Sequence, residues 1–194
     1  PGLSLINTAS ETHQYQHIAG DLSRNAYATY ILALVDHAFT DGQPLGGWFD
    51  QVAAALALID RGQDEQVVTN VIETQLLTVF GVAPTWDRCV ICGRADRPLD
   101  FSEQYGGMLC NRHWHLDPRR LHLNRRTVYY LQQFAQLNLQ RLNNIKINPG
   151  TKLRLQTVLD TIYDDQVGLR LKSKRFIQQM HRLEQKMGNL TAGD

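Results

Sequence analysis

Apolar residues recur along this chain at three- and four-residue spacing in several separate runs, each closed by glycine or proline, and this periodicity predicts a mainly α-helical fold. The first run opens at Asp21, a suitable N-cap, and carries Leu22, Ala26, Tyr30, Ile31, Leu34, Val35 and Ala38 until Asp41-Gly42-Gln43-Pro44 breaks it. A second run places Phe49, Val52, Ala53, Leu56 and Ile59 on one face and stops at Gly62. Asp64 caps a third, with Val67, Val68, Val71, Leu76, Val79 and Phe80, which leaves through Gly81 and Pro84. Amphipathic helices joined by short connections must bury their apolar faces on one another, so a bundle is expected.

Residues 86–118 break the period. They are rich in Cys, Gly, Pro, Arg and aromatic residues, and Leu99–Ser102 and Met108–Leu109 flank Tyr105-Gly106-Gly107 as a small β-hairpin would. Helix resumes after Asn124, with Val128, Leu131, Phe134, Leu137 and Leu142 turned inward. Beyond the break at Asn148-Pro149-Gly150, Leu153, Leu155, Val158, Leu159 and Ile162 form another face, and Gly168 marks its end. A last helix, Lys172 to Lys186, groups Phe176, Ile177, Met180 and Leu183. The expected fold is therefore a helical bundle with a small zinc-ribbon-like hairpin insert. The expected segments are 1–10 (a remnant strand, around Leu3–Ile6), 11–85 (helical), 86–118 (insert) and 119–194 (helical).

The insert holds all three cysteines of the chain. Cys89-Val90-Ile91-Cys92 and, after 17 residues, Cys110-Asn111-Arg112-His113 have the spacing of two metal-binding knuckles. Three thiolates and one imidazole suit one tetrahedral Zn²⁺ ion, and four protein donors leave no position for a water, so the expected role is structural. Gly93 gives the first knuckle its turn, and Arg88, Arg94 and Arg112 are placed to offset the net negative charge of such a site. His115 is an alternative fourth ligand, and three buried, redox-silent cysteines are the plain alternative. A zinc hydrolase would need a general base beside the metal; Glu103 and Asp117 are the nearest acids, and neither lies in a recognisable motif.

Other chemistries find little support. Gly46-Gly47 and Gly106-Gly107 lack the pattern of a phosphate loop, and no serine or histidine sits in a nucleophile context. No apolar run approaches a membrane span and no signal peptide opens the chain, so a cytoplasmic location is expected. The first residue is Pro1 rather than Met, which suggests a fragment or a processed product.

Charge adds one asymmetry. The total of +1 hides 5 Lys/Arg against 13 Asp/Glu in residues 1–111, and 15 against 6 in residues 112–194. A basic half points to polyanions. Arg112, Arg119, Arg120, Arg125 and Arg126 follow the second knuckle, interleaved with Trp114, Tyr129 and Tyr130, and Lys172, Lys174 and Arg175 open the last helix. Such residues neutralise phosphates, and exposed aromatics stack on unpaired bases. Core positions for Trp114 and Tyr130 are the competing reading.

Taken in order, Asp21-Leu22-Ser23-Arg24, Tyr27-Ala28-Thr29-Tyr30-Ile31-Leu32-Ala33-Leu34-Val35-Asp36, Phe80-Gly81-Val82-Ala83-Pro84, the Cys89–Gly93 knuckle, Phe101-Ser102, Gly106-Gly107-Met108-Leu109-Cys110 and Leu171-Lys172-Ser173-Lys174-Arg175-Phe176 resemble the C-terminal part of the bacterial RecO family of recombination mediators. The resemblance spans roughly Gly2 to Met180. It implies a non-enzymatic role in DNA repair, with binding of single- and double-stranded DNA, strand annealing, cooperation with RecR, engagement of the acidic C-terminal tail of single-stranded-DNA-binding protein, and indirectly RecA loading. It also implies a bacterial, nucleoid-associated protein. Such a tail needs an apolar pocket with a basic rim, for which Arg119, Arg120 and Arg126 are candidates. The family opens with an oligonucleotide-binding barrel, of which this chain holds at most the final strand. Many relatives have cysteine where this chain has His113, and some lack the ligands altogether, which makes zinc a scaffold element. The alternative function is a zinc-stabilised protein-interaction module with no DNA binding of its own.

Overall fold

The computed structural model of the chain describes residues 14–142 and 144–191. The expected strand at Leu3–Ile6 lies outside them. The elements are α1 (Gln16–Gly20), α2 (Leu22–Ala38), α3 (Gly47–Asp60), α4 (Glu65–Val79), β1 (Leu99–Ser102), β2 (Gly107–Cys110), α5 (Arg125–Phe134), α6 (Pro149–Ile162) and α7 (Lys172–Thr191). The mainly α architecture with one small antiparallel hairpin is as expected. No helix among the described residues is long and apolar enough to cross a membrane.

Local chemistry explains the helix starts. The Asp21, Asp64, Asn124 and Asn148 side chains accept the backbone N–H groups of Arg24, Val67, Thr127 and Thr151, each satisfying a donor that the first turn would leave unpaired. Pro149 follows Asn148 at the first helical position, where it has no N–H to lose. The break read at Asn148-Pro149-Gly150 is thus also the start of α6.

Helix α4 is the axis of the bundle, with α2, α3, α5 and α6 packed around it and α7 lying against α2. Its apolar residues Val67, Val68, Val71, Ile72, Leu76 and Leu77 are fully buried, but so are Asn70 and Glu73. A buried carboxylate is costly unless paired. Glu73 accepts from the Tyr30 hydroxyl at 2.7 Å, from Asn70 Nδ2 at 2.9 Å and from Lys174 Nζ at 2.8 Å. Lys174 also meets Asp160 at 2.8 Å and lies over the Tyr30 ring at 4.9 Å, and the Tyr163 hydroxyl donates to the Glu73 carbonyl at 3.0 Å. One ammonium on α7 therefore ties α4 to α6 in the interior.

This cluster fixes a pH response. Burial, with Glu73 beside them, pushes the Tyr30 and Tyr163 hydroxyls well above the ordinary 10.0. Burial alone would lower Lys174, but Glu73 and Asp160 outweigh it and raise it above 10.5. All three hold their protons more tightly folded than unfolded. Their contribution is complete below about pH 10 and is lost as pH rises through the folded values. A urea midpoint that drops above about pH 10, with Tyr30 and Tyr163 ionising only on unfolding, is the expected result. Ionisation of Tyr30 or Tyr163 in the folded chain near pH 10 would contradict it.

Several expected core positions lie elsewhere. Leu22, Phe49 and Leu153 are about two-thirds exposed, Leu183 is exposed and Phe176 is 42% exposed. In α3 the buried stripe is Val52, Ala55, Leu58 and Ile59, one position round from the expected face. Helix α5 ends at Phe134, so Leu137 and Leu142 fall outside it, before and after a 3-10 turn at Leu139–Arg141. The end is set from a distance, since Gln75 Nε2 donates to the carbonyls of Phe134 and Leu137 at 2.8 and 2.7 Å. Helix α1 was not anticipated. Asp60 Oδ1 accepts the N–H groups of both His17 and Ile18 at 2.9 Å, so its cap comes from the end of α3.

Candidate metal centre and nucleic-acid interface

The hairpin pairs Leu99 with Cys110 and Ser102 with Gly107 in antiparallel register. Gly106 makes the turn with φ +59°. Gly107 is needed for a different reason: a Cβ there would stand 2.7 Å from Val90 Cγ1 and 3.2 Å from the Thr85 backbone. Gly107→Ala should cost about 1–3 kcal/mol, measured by thermal melting, because backbone on one side cannot give way. Met108 donates its N–H to the Thr85 carbonyl at 3.1 Å and accepts from Val90 N–H at 2.9 Å, which lays the first knuckle along the outer edge of β2.

That placement brings Cys89, Cys92, Cys110 and His113 together, with all four donor atoms within 4.8 Å of one another. Cys92 Sγ is 3.8 Å from Cys110 Sγ, and His113 Nδ1 is 3.4 and 3.3 Å from the sulfurs of Cys89 and Cys110. Tetrahedral bonds of about 2.3 Å to sulfur and about 2.0–2.1 Å to nitrogen would separate such donors by about 3.8 and 3.6 Å. The cluster therefore fits one four-coordinate metal ion. Gly93 closes the first knuckle with φ +69° and donates its N–H to the Cys89 carbonyl at 2.8 Å. Burial pushes the Cys89 thiol up, but N–H groups of Cys110, Cys92 and Ile91 and the contact with His113 outweigh it and hold it at about 6. Cys89 thus favours thiolate, whereas at Cys92 an N–H from Arg94 is outweighed by burial and the neighbouring Cys89 and Cys110, which push that thiol up. His115 is exposed, its ring centroid 6.5 Å from that of His113, and it is not in the cluster.

Two of the three arginines around the knuckle are ion-paired. Arg88 forms a fork with Asp87 at 3.1 and 2.9 Å, and Arg94 forms one with Asp96 at 2.8 and 2.6 Å. The Arg94 guanidinium holds Asp96 down at about 2. Each such pair is close to neutral and solvent-exposed; Arg94 is raised chiefly by Asp96 but also by Cys92 and Cys110, so it still faces the cluster, and Arg112 is exposed and in no ion pair among the described residues.

The remaining basic candidates divide by environment. Arg119, Arg125, Arg126, Lys172 and Arg175 are exposed. Arg125 and Arg126 occupy the first turn of α5, where the helix dipole disfavours cations, a small local cost that an external anion would offset. Arg120 is ion-paired at 2.8 Å with buried Asp100 and lies 4.7 Å over the Trp114 ring. Asp100 also accepts from Phe101 and Leu123 N–H, and Asp117 from Ser102 and Arg119 N–H, so two buried carboxylates pin the loop before α5 to the hairpin. Lys174 belongs to the interior cluster described above. Trp114 donates its indole N–H to the Leu109 carbonyl at 3.0 Å and is half-buried, as is Tyr130; Tyr129 is 54% exposed.

One apolar groove was not read from the sequence. Leu22, Ala26 and Thr29 of α2 and Phe176 of α7 line a hollow of about 670 Å³, with Lys172 and Arg175 on its margin. Its signal was a hydrophobic stripe at Leu22 and Phe176 wider than the core could use.

Comparison with known proteins settles the lineage. The family described as recombination protein O, C terminal, matches residues 19–175. The chain is 69% identical over 193 residues to the DNA repair protein RecO of Limosilactobacillus reuteri (strain DSM 20016), covering 100% of this chain and 74% of that protein. It is 59% identical over 179 residues to DNA repair protein RecO of Limosilactobacillus fermentum (92% of this chain, 66% of that protein). With the protein of that name from Lactiplantibacillus plantarum it shares 51% over 179 residues, covering 92% of this chain and 69% of that protein. Identity at this level, sustained over nearly every described element, places the chain in the RecO family.

Proposed function

We propose that this chain is a non-enzymatic mediator of DNA repair and recombination that binds single- and double-stranded DNA and partner proteins. The observation that carries the reading is the family match, whose relatives are named DNA repair proteins over almost the whole of this chain. In this role it promotes strand annealing and, with a RecR-like protein, helps load RecA on strands coated by single-stranded-DNA-binding protein. Its place is the nucleoid of a bacterial cytoplasm.

The metal in this reading is one structural Zn²⁺ held by Cys89, Cys92, Cys110 and His113. Four protein donors leave no position for a water nucleophile. Asp117 is engaged by Ser102 and by Arg119 N–H, and is not free to act as a base beside the ion. Function then rests on surfaces. Exposed Arg112, Arg119, Arg125 and Arg126 supply phosphate contacts after the second knuckle. The α2–α7 groove suits the tail of single-stranded-DNA-binding protein: the apolar end enters between Leu22 and Phe176, and Lys172 and Arg175 meet its carboxylates. In this reading Lys172 and Arg175 form the basic rim because they line the groove; Arg119, Arg120 and Arg126 do not line it, and Arg120 is committed to Asp100.

A labelled tail peptide should bind the chain, and Lys172→Glu with Arg175→Glu should weaken it by about tenfold or more through charge reversal. Oligonucleotide binding should be salt-dependent, with a log–log slope of about −0.7 per neutralised phosphate on single strands. Tail binding without any oligonucleotide binding would replace this reading with that of a protein-interaction module. Tail affinity unchanged by the double reversal would remove the groove from it.

A further inference from the structure

Tyr129 is the outward residue of a helix whose neighbours Val128 and Leu131 are buried, and nothing in the core requires an aromatic ring there. It borders a hollow of about 300 Å³ between the loop after the first knuckle and α5, shared by Arg97, Pro98, Arg125, Val128 and Gln132. We propose that this hollow is a stacking subsite for one nucleotide of single-stranded DNA, with the base on the Tyr129 ring and the flanking phosphates on Arg97 and Arg125. The proposal deepens the DNA-binding reading and rests on it.

Three features converge. First, the ring is braced. Tyr130 stands edge-on to it at 5.6 Å and 67°, and Tyr130 is held in turn by Phe134 at 5.8 Å. A platform held by neighbours loses little freedom when a base lands on it. Of the three aromatics interleaved with basic residues, Trp114 is already covered by Arg120 and Tyr130 is half-buried, so Tyr129 alone offers a broad exposed ring.

Second, the charge of the hollow is set for an anion. Its one carboxylate, Asp96, is taken by both arms of Arg94. Arg97 and Arg125 form no ion pair among the described residues. The local balance is therefore two guanidinium groups outside any ion pair that line one hollow with an aromatic ring, Arg97 also lying near enough to help hold Asp96 down. Arginine beside an aromatic platform is the combination by which proteins hold unpaired strands without reading sequence.

Third, size and polarity select the strand state. About 300 Å³ lies at the small end of ligand cavities, enough for a single nucleotide and far too little for a duplex. Bases inside a duplex have both faces stacked and cannot reach the ring. Gln132 donates its Nε2 to the Trp86 carbonyl at 3.0 Å, which leaves its side-chain oxygen to accept from a base edge.

The test uses the metal-loaded chain and a short oligo-dT carrying one 2-aminopurine, whose fluorescence falls on stacking. Tyr129→Ala should weaken single-strand affinity by about tenfold and abolish the quench, while Tyr129→Phe retains both. Duplex affinity should change less than about twofold, and the salt slope should stay that of the unmodified chain. Arg97→Gln and Arg125→Gln should instead each flatten the slope by about 0.7. Thermal melting run alongside should be little changed in all four, since Tyr129 and Arg125 are exposed and half-buried Arg97 has no ion pair among the described residues to lose. Single-strand affinity unchanged in Tyr129→Ala, or equal loss in Tyr129→Ala and Tyr129→Phe, or equal loss on duplex, would overturn the subsite while leaving DNA binding in place. Loss of tail-peptide affinity with DNA binding intact would assign the ring to protein and also overturn it. No binding of any DNA by the unmodified chain would remove the function and the subsite together.

Discussion

Removing the metal with a chelator, or replacing Cys89 or Cys110 by alanine, should unfold residues 86–118 and leave the helices assembled. The hairpin has only four residues per strand, and an isolated two-stranded hairpin is marginal in water. Its buried residues, Phe101, Met108 and Leu109, join the main core, and Trp86 stacks on Phe101 at a centroid distance of 5.5 Å. These contacts depend on the knuckles, because the outer edge of β2 is covered by Thr85 and Val90 on either side of Cys89. Ion binding in structural zinc sites is worth about 10–16 kcal/mol in isolated modules, where it is also the folding free energy. A loss of several kcal/mol, local to this segment, is the expected outcome here. Hydrogen exchange should accelerate at Val90 and Met108 and remain slow in α4. His113→Cys should keep the ion and the protection, since a fourth thiolate completes the same tetrahedron. The basic residues from Arg119 to Arg126 should also lose their orientation, because Asp100 and Asp117 anchor their loop to the strands. A metal-free variant with unchanged protection would show that packing alone holds the segment.

Lys174→Ala should destabilise the whole bundle by about 3–5 kcal/mol, the cost of leaving a buried carboxylate without its cation. Glu73 is fully buried, and Lys174 is the only ammonium among the described residues that reaches it. Replacing both partners, Lys174→Met with Glu73→Gln, should cost less than Lys174→Ala alone, because the fully buried carboxylate goes with its cation, while Asp160, which also loses Lys174, is partly exposed and keeps Gln156. Denaturant melts of these two variants, and of the Lys174→Met and Glu73→Gln singles, measure this directly. The same variants separate interior from surface: Lys174→Met with Glu73→Gln should leave the salt slope of oligonucleotide binding unaltered, whereas a phosphate-contacting lysine would reduce it by about 0.7. An additive double variant would mean that the two charges act independently.

These two cases show where the sequence was legible. The metal cluster could be read because knuckle spacing is local: two residues between donors, with Gly93 beside them, encode the turn. Asp21, Asp64 and Asn124 were legible as caps for the same reason. What escaped the reading was set from afar. Lys174 sits between Lys172 and Arg175 and has the pattern of a surface cation, and only the approach of α7 to Glu73 and Asp160 draws it inside. Glu73 and Asn70 in turn read as the polar side of an amphipathic helix, whereas α4 is buried on every side and its polar groups meet one another. The start of α1 depends on Asp60 and the end of α5 on Gln75, partners distant in sequence. Leu22 and Phe176 fit the helical period, and their exposure became visible only when α2 and α7 were seen to splay into a groove.

In the proposed function the metal is a staple and nucleic acid is held by the basic surfaces beside it. Single-strand affinity of the zinc-loaded chain, measured from low to moderate salt, tests it most directly. The expected result is a linear log–log plot whose negative slope corresponds to several phosphates at about 0.7 each, flattened by charge-removing substitutions at Arg119, Arg125 and Arg126. Binding that ignores salt, or no binding at all, would contradict it.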